Sequence, residues 1–194
     1  GGAKREEGQK EEGGKASVKT ATPEEAAEGL DPGMLDIRVG RVVRCWAHEG
    51  SEKLLCEEID LGEASTRNIA SGIRLFYAPE QVQGRQVLVL ANLKERSVAG
   101  FRSQGMVLCA VSGNHAEVAL LEPPPDAKVG DRVLFRGLVP CEAATPAQLA
   151  KKKVLEGLAP GLHTDEQGVA YWKHAAFVVG DGLCKAPLFN ATVS

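Results

Sequence analysis

The sequence predicts a mainly all-β fold: a small barrel in residues 31–140 that carries an α+β extension in residues 141–194. From Leu35 onwards, runs rich in Val and Ile alternate with Gly, Pro and Asn, which is the pattern of short strands and turns. Helical signals are confined to one proline-led turn in the first part and one longer segment in the second. Since 43% of the 194 residues are hydrophobic, the chain can bury a core.

The strands predicted for the first part are Ile37–Ala47, Leu54–Leu61, Arg67–Ser71, Gln86–Leu93, Gly105–Val111, Val118–Leu121 and Arg132–Phe135. The first run also fits a helical stripe, but its Val and Ile content and the central Gly40, where a β-bulge is expected, favour a strand. A helical turn at residues 79–81 falls between the third and fourth strands. This order is typical of a five-stranded Greek-key barrel of the OB type, with an SH3-like barrel as the alternative.

The second part combines a helix with a hairpin. A capping box at residues 145–148, with Pro146 at the first helical position, predicts a helix that continues to about Glu156 and is stopped by Gly157. Two further runs predict the hairpin, Val169–Lys173 and Ala176–Val179. A piece of this size folds poorly alone, so we expect it to pack on the barrel.

Residues 1–30 have a different composition. Lys and Glu alternate there with Gly, Ala and Thr, and Ile, Phe, Trp and Tyr are absent. Such a segment buries too little apolar surface to offset the entropy of ordering, so we expect a disordered linker.

Charge and aromatic content limit the kinds of partner. The net charge is −3, and without residues 1–30 the chain holds 18 basic and 19 acidic residues. A nucleic-acid site would therefore have to be a local patch. Aromatic residues make up only 5% of the chain, which disfavours RNA binders that stack several bases on exposed rings.

The sequence predicts no enzyme. It contains no phosphate-binding loop, no dinucleotide-binding glycine pattern and no nucleophile elbow. Glu57 and Glu58 lie on one strand and point to opposite faces, so they cannot form an acid–base pair. No apolar run approaches the ~20 residues that a membrane helix needs, and no apolar stretch follows the first residues as in a secretory signal.

The cysteines suggest neither a cofactor nor a metal site. Five of them are spaced far apart without a C-x-x-C pair, so reduced thiols in a cytosolic protein are expected. Cys45, His48 and Cys56 would bind zinc only if all three met. Because a structural zinc site takes four ligands in close pairs, we interpret both cysteines as core residues on adjacent strands.

The most informative segment runs from Asn92 to Met106. It leaves a buried strand, passes through a polar loop and returns into a strand. Its potential ligand-binding groups are Asn92, Lys94, Arg96, Arg102 and Ser103, with Gly105 permitting a close backbone approach. The alternative is a solvated hairpin loop, with Met106 as an ordinary core residue.

Several ordered motifs resemble one family, the tRNA-binding domains related to endothelial monocyte-activating polypeptide II. They span about residues 34–188, and residues 103–106 match the family's S-x-G-M signature. One departure is at His48-Glu49, where members often have His-Pro. The other matching segments are Leu35–Val43, Leu55–Gly62, Arg67–Ile73, Asn92–Lys94, Lys151–Lys153, Leu162–Thr164, Tyr171–Lys173 and Gly182–Cys184.

The resemblance implies an OB barrel whose extension copies the dimer interface of shorter relatives, so that a monomer presents a pseudo-dimer interface. It implies a cytoplasmic module that binds tRNA without regard to sequence and serves an aminoacyl-tRNA synthetase or multisynthetase complex, in cis or in trans. Carried over by position, the expected RNA-binding residues are Asn92, Lys94, Arg102, Ser103 and Met106, followed by Arg67 and Arg85. For these two arginines, solvated strand cations are the alternative.

Two points stay open at the level of sequence. A protein-interaction or cytokine-like module is the alternative function, because Arg38–Arg44 resembles a heptapeptide linked to cytokine activity in animal relatives. That stretch is predicted to be a largely buried strand. Lys151–Lys153 would spread around a helix, so that not all three could reach one ligand.

Overall fold

The structure is a computed structural model that describes residues 28–194. Most of the predicted linker, residues 1–27, therefore lies outside the described residues. The chain enters the fold through a 3-10 turn, Pro32–Met34, which the Asp31 carboxylate caps by accepting from the Gly33 amide at 2.7 Å. No helix in this part of the chain is long and apolar enough to cross a bilayer.

Strands dominate the described residues. Their bounds are β1 (Ile37–Ala47), β2 (Leu55–Asp60), β3 (Arg67–Ser71), β4 (Gln86–Leu90), β5 (Arg96–Val98), β6 (Phe101–Ser103), β7 (Met106–Val107), β8 (Cys109–Val111), β9 (Val118–Leu120), β10 (Leu134–Phe135), β11 (Leu162–Thr164), β12 (Ala170–Trp172), β13 (Ala175–Val179), β14 (Gly182–Leu183) and β15 (Thr192–Val193). The helices are α1 (Pro79–Val82), α2 (Pro146–Lys151) and α3 (Val154–Leu158), and a 3-10 turn follows at Ala159–Gly161. The predicted mainly β class is confirmed.

Five strands form an antiparallel, barrel-like sheet in the order β3-β2-β1-β4-β7. The long β1 pairs with β4 through its first half and with β2 through its second half, and the register shifts between Val42 and Arg44. Such a bulge bends a strand and increases its twist, which lets β1 wrap around the core. The open edge is nearly closed where the Gln104 amide donates to the Asn68 carbonyl on β3 at 2.8 Å.

Gly40 has a packing role and not the bulge that the sequence suggested. A Cβ at this position would lie 2.7 Å from a methyl of Ile59 and 2.8 Å from one of Leu61. A glycine is therefore required where β1 crosses closely over neighbouring side chains. The irregularity itself occurs a few residues later, at Val43.

A second antiparallel sheet joins the two parts of the chain. Its order is β10-β13-β12-β11-β15-β8-β9, with β14 on the side of β13. Strands β8, β9 and β10 come from before residue 140 and the others from after it. One buried cluster combines Leu35, Leu90 and Leu121 with Leu158 and Phe177. The extension therefore packs on the barrel, as predicted.

The helical segment differs from the expectation. The capping box is present, because the Thr145 hydroxyl accepts from the Gln148 amide at 3.2 Å. The helix breaks at Lys153, whose φ of +49° is left-handed, and Gly157 lies inside α3 instead of stopping it. The break redirects the chain so that Val154 and Leu158, both fully buried, reach the core.

Two further differences concern the strands. The predicted strand Gly105–Val111 is split at Leu108, so that β7 belongs to the first sheet and β8 to the second. The stretch Arg38–Arg44 was predicted to be largely buried, but only part of it is. Arg41, Val43 and Arg44 are exposed on the outer side of β1.

Candidate nucleic-acid interface

The segment between β4 and β7, residues 91–105, projects from the barrel as a hairpin. Strands β5 and β6 pair in it, with Arg96 opposite Ser103 and Val98 opposite Phe101. Ala99 and Gly100 have φ values of +47° and +80°, as the tight two-residue turn of a hairpin requires. The polar loop predicted between two strands is therefore itself a paired β-hairpin, the β4–β7 connection.

The connection carries three exposed cations. Lys94 and Arg96 form no ion pair within residues 28–194. The side chain of Arg102 is 79% exposed and pairs with Glu95 on the same hairpin. An exposed pair of this kind contributes little to stability, so Arg102 can exchange its partner for another anion.

A cleft of about 330 Å³ separates the base of the connection from α2 and α3. Met106 is half-buried in its wall, next to Leu93 and facing Leu149 and Leu155 of the helices. Lys94, Arg96 and the carboxylates of Glu95 and Glu156 line it as well. The cleft thus has an apolar floor with charges of both signs around it.

Lys151–Lys153 run from the last residue of α2 through the break before α3. All three are exposed. Ala150 and Leu155, on either side of them in the chain, line the cleft. The three lysines are therefore near the cleft in sequence, at a helix end and not around one continuous helix.

The structure places Asn92 inside the protein. Its side chain is 6% exposed, donates to the carbonyls of Met34 (2.9 Å) and Ala144 (2.8 Å), and accepts from the Asp36 amide (3.0 Å). The amide group thereby ties the entry of β1 to the extension. All of these hydrogen bonds are directed at the protein backbone.

Ser103 is buried as well. Its hydroxyl accepts from the Ala70 amide at 3.1 Å and donates to the Gly105 carbonyl at 3.2 Å. Gly105 packs closely against β4, since a Cβ there would lie 3.0 Å from the Leu90 carbonyl oxygen, and it also lines the cleft. The motif at residues 103–106 therefore holds the connection against β3 and β4.

Arg67 and Arg85, the two further candidates for RNA binding, differ in their contacts and exposure. Arg67 donates to the carbonyls of Ala91 (2.6 Å) and Gln104 (3.1 Å), and so joins both ends of the β4–β7 connection. It also forms a two-pronged contact with Glu63, which lowers the pKa of that carboxyl through hydrogen bonding. Arg85 is more accessible, with Glu122 at 3.8 Å and the Tyr77 ring beneath its guanidinium at 5.4 Å.

Sequence reasoning missed a cluster of aromatic rings. Trp46, His48 and Phe101 meet at one end of the barrel although 55 positions separate Trp46 from Phe101 in the sequence. The one signal available was alternation along β1, which places Arg44 and Trp46 on its outward side when Cys45 points inward.

The cysteines offer no reactive group at this surface. Cys45 pairs in register with Glu57, whereas Cys56 pairs with Trp46, so the two cysteines point to opposite faces of the sheet. Both cysteines are buried on adjacent strands, as expected, and Cys56 lies beneath the outward side, opposite Trp46. Within residues 28–194 no cluster of three potential metal ligands occurs. Burial raises the pKa of Cys45 and Cys109 to about 12, which leaves them as protonated thiols at neutral pH.

Comparison with known proteins identifies the barrel. Residues 37–132 match the family model described as a putative tRNA-binding domain. The C-terminal domain of Plasmodium vivax p43 superposes with a TM-score of 0.77 at 34% identity, covering 84% of this chain and 99% of that one.

Two relatives of known name match most of the chain. The probable methionine–tRNA ligase of Oryza sativa subsp. japonica is 38% identical over 186 residues, which are 95% of this chain and 22% of the ligase. The mouse aminoacyl tRNA synthase complex-interacting multifunctional protein 1 is 39% identical over 160 residues, which are 81% of this chain and 50% of that protein. The chain thus spans about half or less of the length of these relatives.

Proposed function

The chain belongs to the family of putative tRNA-binding domains, and from this membership we propose that it binds tRNA with little regard to sequence. It is a binding module, of a kind that relatives carry within tRNA ligases and ligase-complex proteins. The observation that carries the proposal is the coincidence of the matched region with a barrel whose exposed hairpin presents Lys94, Arg96 and Arg102.

The contacts follow from what is accessible. Lys94, Arg96 and Arg102 meet phosphates, and such contacts fix position without reading bases. Met106 shapes the apolar floor of the cleft. Asn92 and Ser103 are positioning residues, because their hydrogen bonds are already made to the protein. We therefore assign no base reading to these two side chains, which agrees with the proposed binding that ignores sequence.

Arg67 and Arg85 have different proposed roles. Arg67 positions the connection by holding both of its ends. Arg85 remains a peripheral cation that an extended RNA could reach.

The type of barrel, the division into domains, the location and the oligomeric state are also proposals. The closure of β3 on the segment before β7, with α1 between β3 and β4, supports a barrel of the OB type. The division into a linker (1–30), a barrel (31–140) and an extension (141–194) stays a proposal. We further propose a cytoplasmic module, monomeric with a pseudo-dimer interface, that delivers or retains tRNA for a synthetase in cis or in trans.

Filter binding with unfractionated tRNA over a range of salt concentrations tests the function. If four or five phosphates are neutralised, log K should fall against log salt with a slope of about −3 to −5. Lys94→Ala and Arg102→Ala should each weaken binding of every tRNA and flatten the slope by nearly one unit, since each removes one phosphate contact.

Arg136→Ala is the matched control, because Arg136 is exposed and does not line the cleft. It should leave affinity and slope as in the parent. A folded Lys94→Ala/Arg102→Ala protein that binds like the parent would show that another surface is used. A parent that binds no tRNA at low salt would remove the function.

A further inference from the structure

We propose that a groove at the end of the barrel takes an unstacked nucleobase from a single-stranded part of the bound RNA, an inference that rests on the proposed function. The aromatic groove, as we call it, is lined by Trp46, His48, Glu49, Phe101 and the hairpin turn at residues 99–100. Its volume is about 570 Å³, within the range of small-molecule sites.

Three separate elements build the groove. Trp46 is the second-to-last residue of β1 and lies on its outward side. His48 begins the β1–β2 loop, and Phe101 comes from the hairpin of the β4–β7 connection. In five-stranded barrels of the proposed type, the corresponding two loops flank the face that holds oligonucleotides. The groove thus lies where a strand of RNA that contacts the hairpin's cations would continue.

The rings are arranged to leave stacking surface. Phe101 lies 6.0 Å from Trp46 and 6.4 Å from His48, centroid to centroid, at interplanar angles of 73° and 74°. In such edge-to-face pairs one ring keeps both of its faces free of the other. All three side chains are half-buried and not covered. A nucleobase can stack on an accessible ring face of this groove, since every base has a π-face.

The charges around the rings favour a nucleotide over an apolar peptide. The exposed guanidinium of Arg44 lies over one face of the Trp46 ring, 4.6 Å from its centroid, so a base stacks on a ring face that Arg44 does not cover. It forms no ion pair within residues 28–194, so a phosphate beside a stacked base can use it. The carboxylate of Glu49, on the loop side, repels phosphate and so turns the sugar–phosphate backbone towards Arg44.

The loop side of the groove is already ordered. Arg74 donates to the carbonyls of His48 (3.1 Å) and Ser51 (2.7 Å). The Gly50 amide donates to Nδ1 of His48 at 2.9 Å, which fixes the orientation of the ring. A base therefore enters a preformed site, and little ordering entropy opposes its binding.

The test compares three probes: a single-stranded oligocytidylate dodecamer, an RNA duplex of the same length, and unfractionated tRNA. Trp46→Leu and Phe101→Leu keep an apolar, though smaller, side chain and remove the stacking surface. Each should weaken binding of the single strand about 10-fold and that of the duplex less than about 2-fold, with the salt slope unchanged because no charge is lost.

Two further variants serve as controls. Phe189→Leu removes an exposed ring outside the groove and should bind all probes like the parent. Trp46→Phe retains a stacking face and should keep most of the single-strand affinity. Tryptophan fluorescence of the parent should be quenched by the oligonucleotide, and this quenching should be lost in Trp46→Phe, which keeps only Trp172. This readout does not require that a leucine variant fold.

The outcomes separate the two proposals. In one outcome, the parent binds tRNA with the expected salt slope, the single strand does not change its fluorescence, and both leucine variants bind the single strand like the parent. The aromatic groove is then not a base site, although the proposed function stands. If variants lose duplex and single-strand binding equally, the rings act through the fold and the inference is also overturned. If the parent binds none of the probes, the proposed function itself fails.

Discussion

A single side chain, Asn92, shows how closely the candidate interface and the stability of the fold are connected. It is on the border of the exposed connection, yet its amide bridges the backbone of the entry segment and that of the extension. Lys94, two residues later, is exposed. Residues of one motif therefore divide into those that shape the surface and those that contact a ligand.

Asn92→Ala should reduce the free energy of unfolding by about 3 kcal/mol, because it leaves buried backbone groups of Asp36 and Ala144 without partners. Urea unfolding measures this change. Asn68→Ala is the control, since its side chain is exposed and it contributes through its backbone. A loss below about 0.5 kcal/mol for Asn92→Ala, the range of ordinary surface changes, would contradict the structural role.

Glu57 makes stability depend on pH. It is 1% exposed and accepts one hydrogen bond from Ser71 at 3.1 Å, while its other oxygen has no partner among the described residues. Burial raises the pKa of this carboxyl from 4.5 to about 8. The folded protein thus holds a proton that the unfolded chain releases, so the contribution of this carboxyl to stability is greatest below pH ~4.5 and is lost as the pH rises to about 8.

Glu57→Gln should abolish that dependence, because glutamine keeps an acceptor for Ser71 and stays neutral. Chemical unfolding at several pH values should show the parent losing up to about 1.4 kcal/mol per pH unit relative to the variant between pH ~5 and pH ~8. Glu58→Gln, on the less buried side of the same strand, should follow the parent. Parallel pH profiles for the parent and Glu57→Gln would refute the assignment.

Among the elements, the broken helix of the extension is the clearest departure from local sequence signals. Capping and helix propensity favour continuation, but burial of Val154 and Leu158 requires a change of direction. Lys153 adopts the left-handed conformation that makes the change. Such a conformation costs a residue with a side chain about 1–2 kcal/mol, which core burial outweighs.

Lys153→Gly should therefore be neutral or stabilising by up to about 1 kcal/mol, since glycine adopts this backbone without strain. Lys151→Gly, at the last residue of α2, removes the same charge but should destabilise, by less than the about 1 kcal/mol that glycine costs in a helix interior. Thermal unfolding of the two variants gives the comparison. Equal destabilisation by both would mean that the helix is continuous in solution.

At the scale of the whole molecule, the two parts share a sheet and a core. β15 pairs with β8, with Val193 opposite Ala110, and β10 pairs with β13. Side chains from both parts bury one another in the same cluster. The barrel therefore owes part of its apolar covering to the extension.

Ending the chain after Pro140 should uncover apolar surface around Leu90 and Leu121 and lead to dimers or aggregates. Light scattering coupled to size-exclusion chromatography detects either. The full chain, measured at the same concentration, is the reference. A truncated protein that stays monomeric and unfolds at the parent's temperature would exclude both the shared core and the pseudo-dimer proposal.

The sequence by itself determined most strands of the barrel, the capping box, the cation-bearing connection and the family, because these depend on local propensity and on motifs in order. Only the tertiary structure decided that Asn92 and Ser103 turn inward, that the helix breaks at Lys153, and that Trp46 meets Phe101. The physical reason is that burial and contact between distant segments depend on which strands become neighbours. Local patterns specify on which face of a strand or helix a residue lies. They do not specify which residues from distant segments will pack against that face.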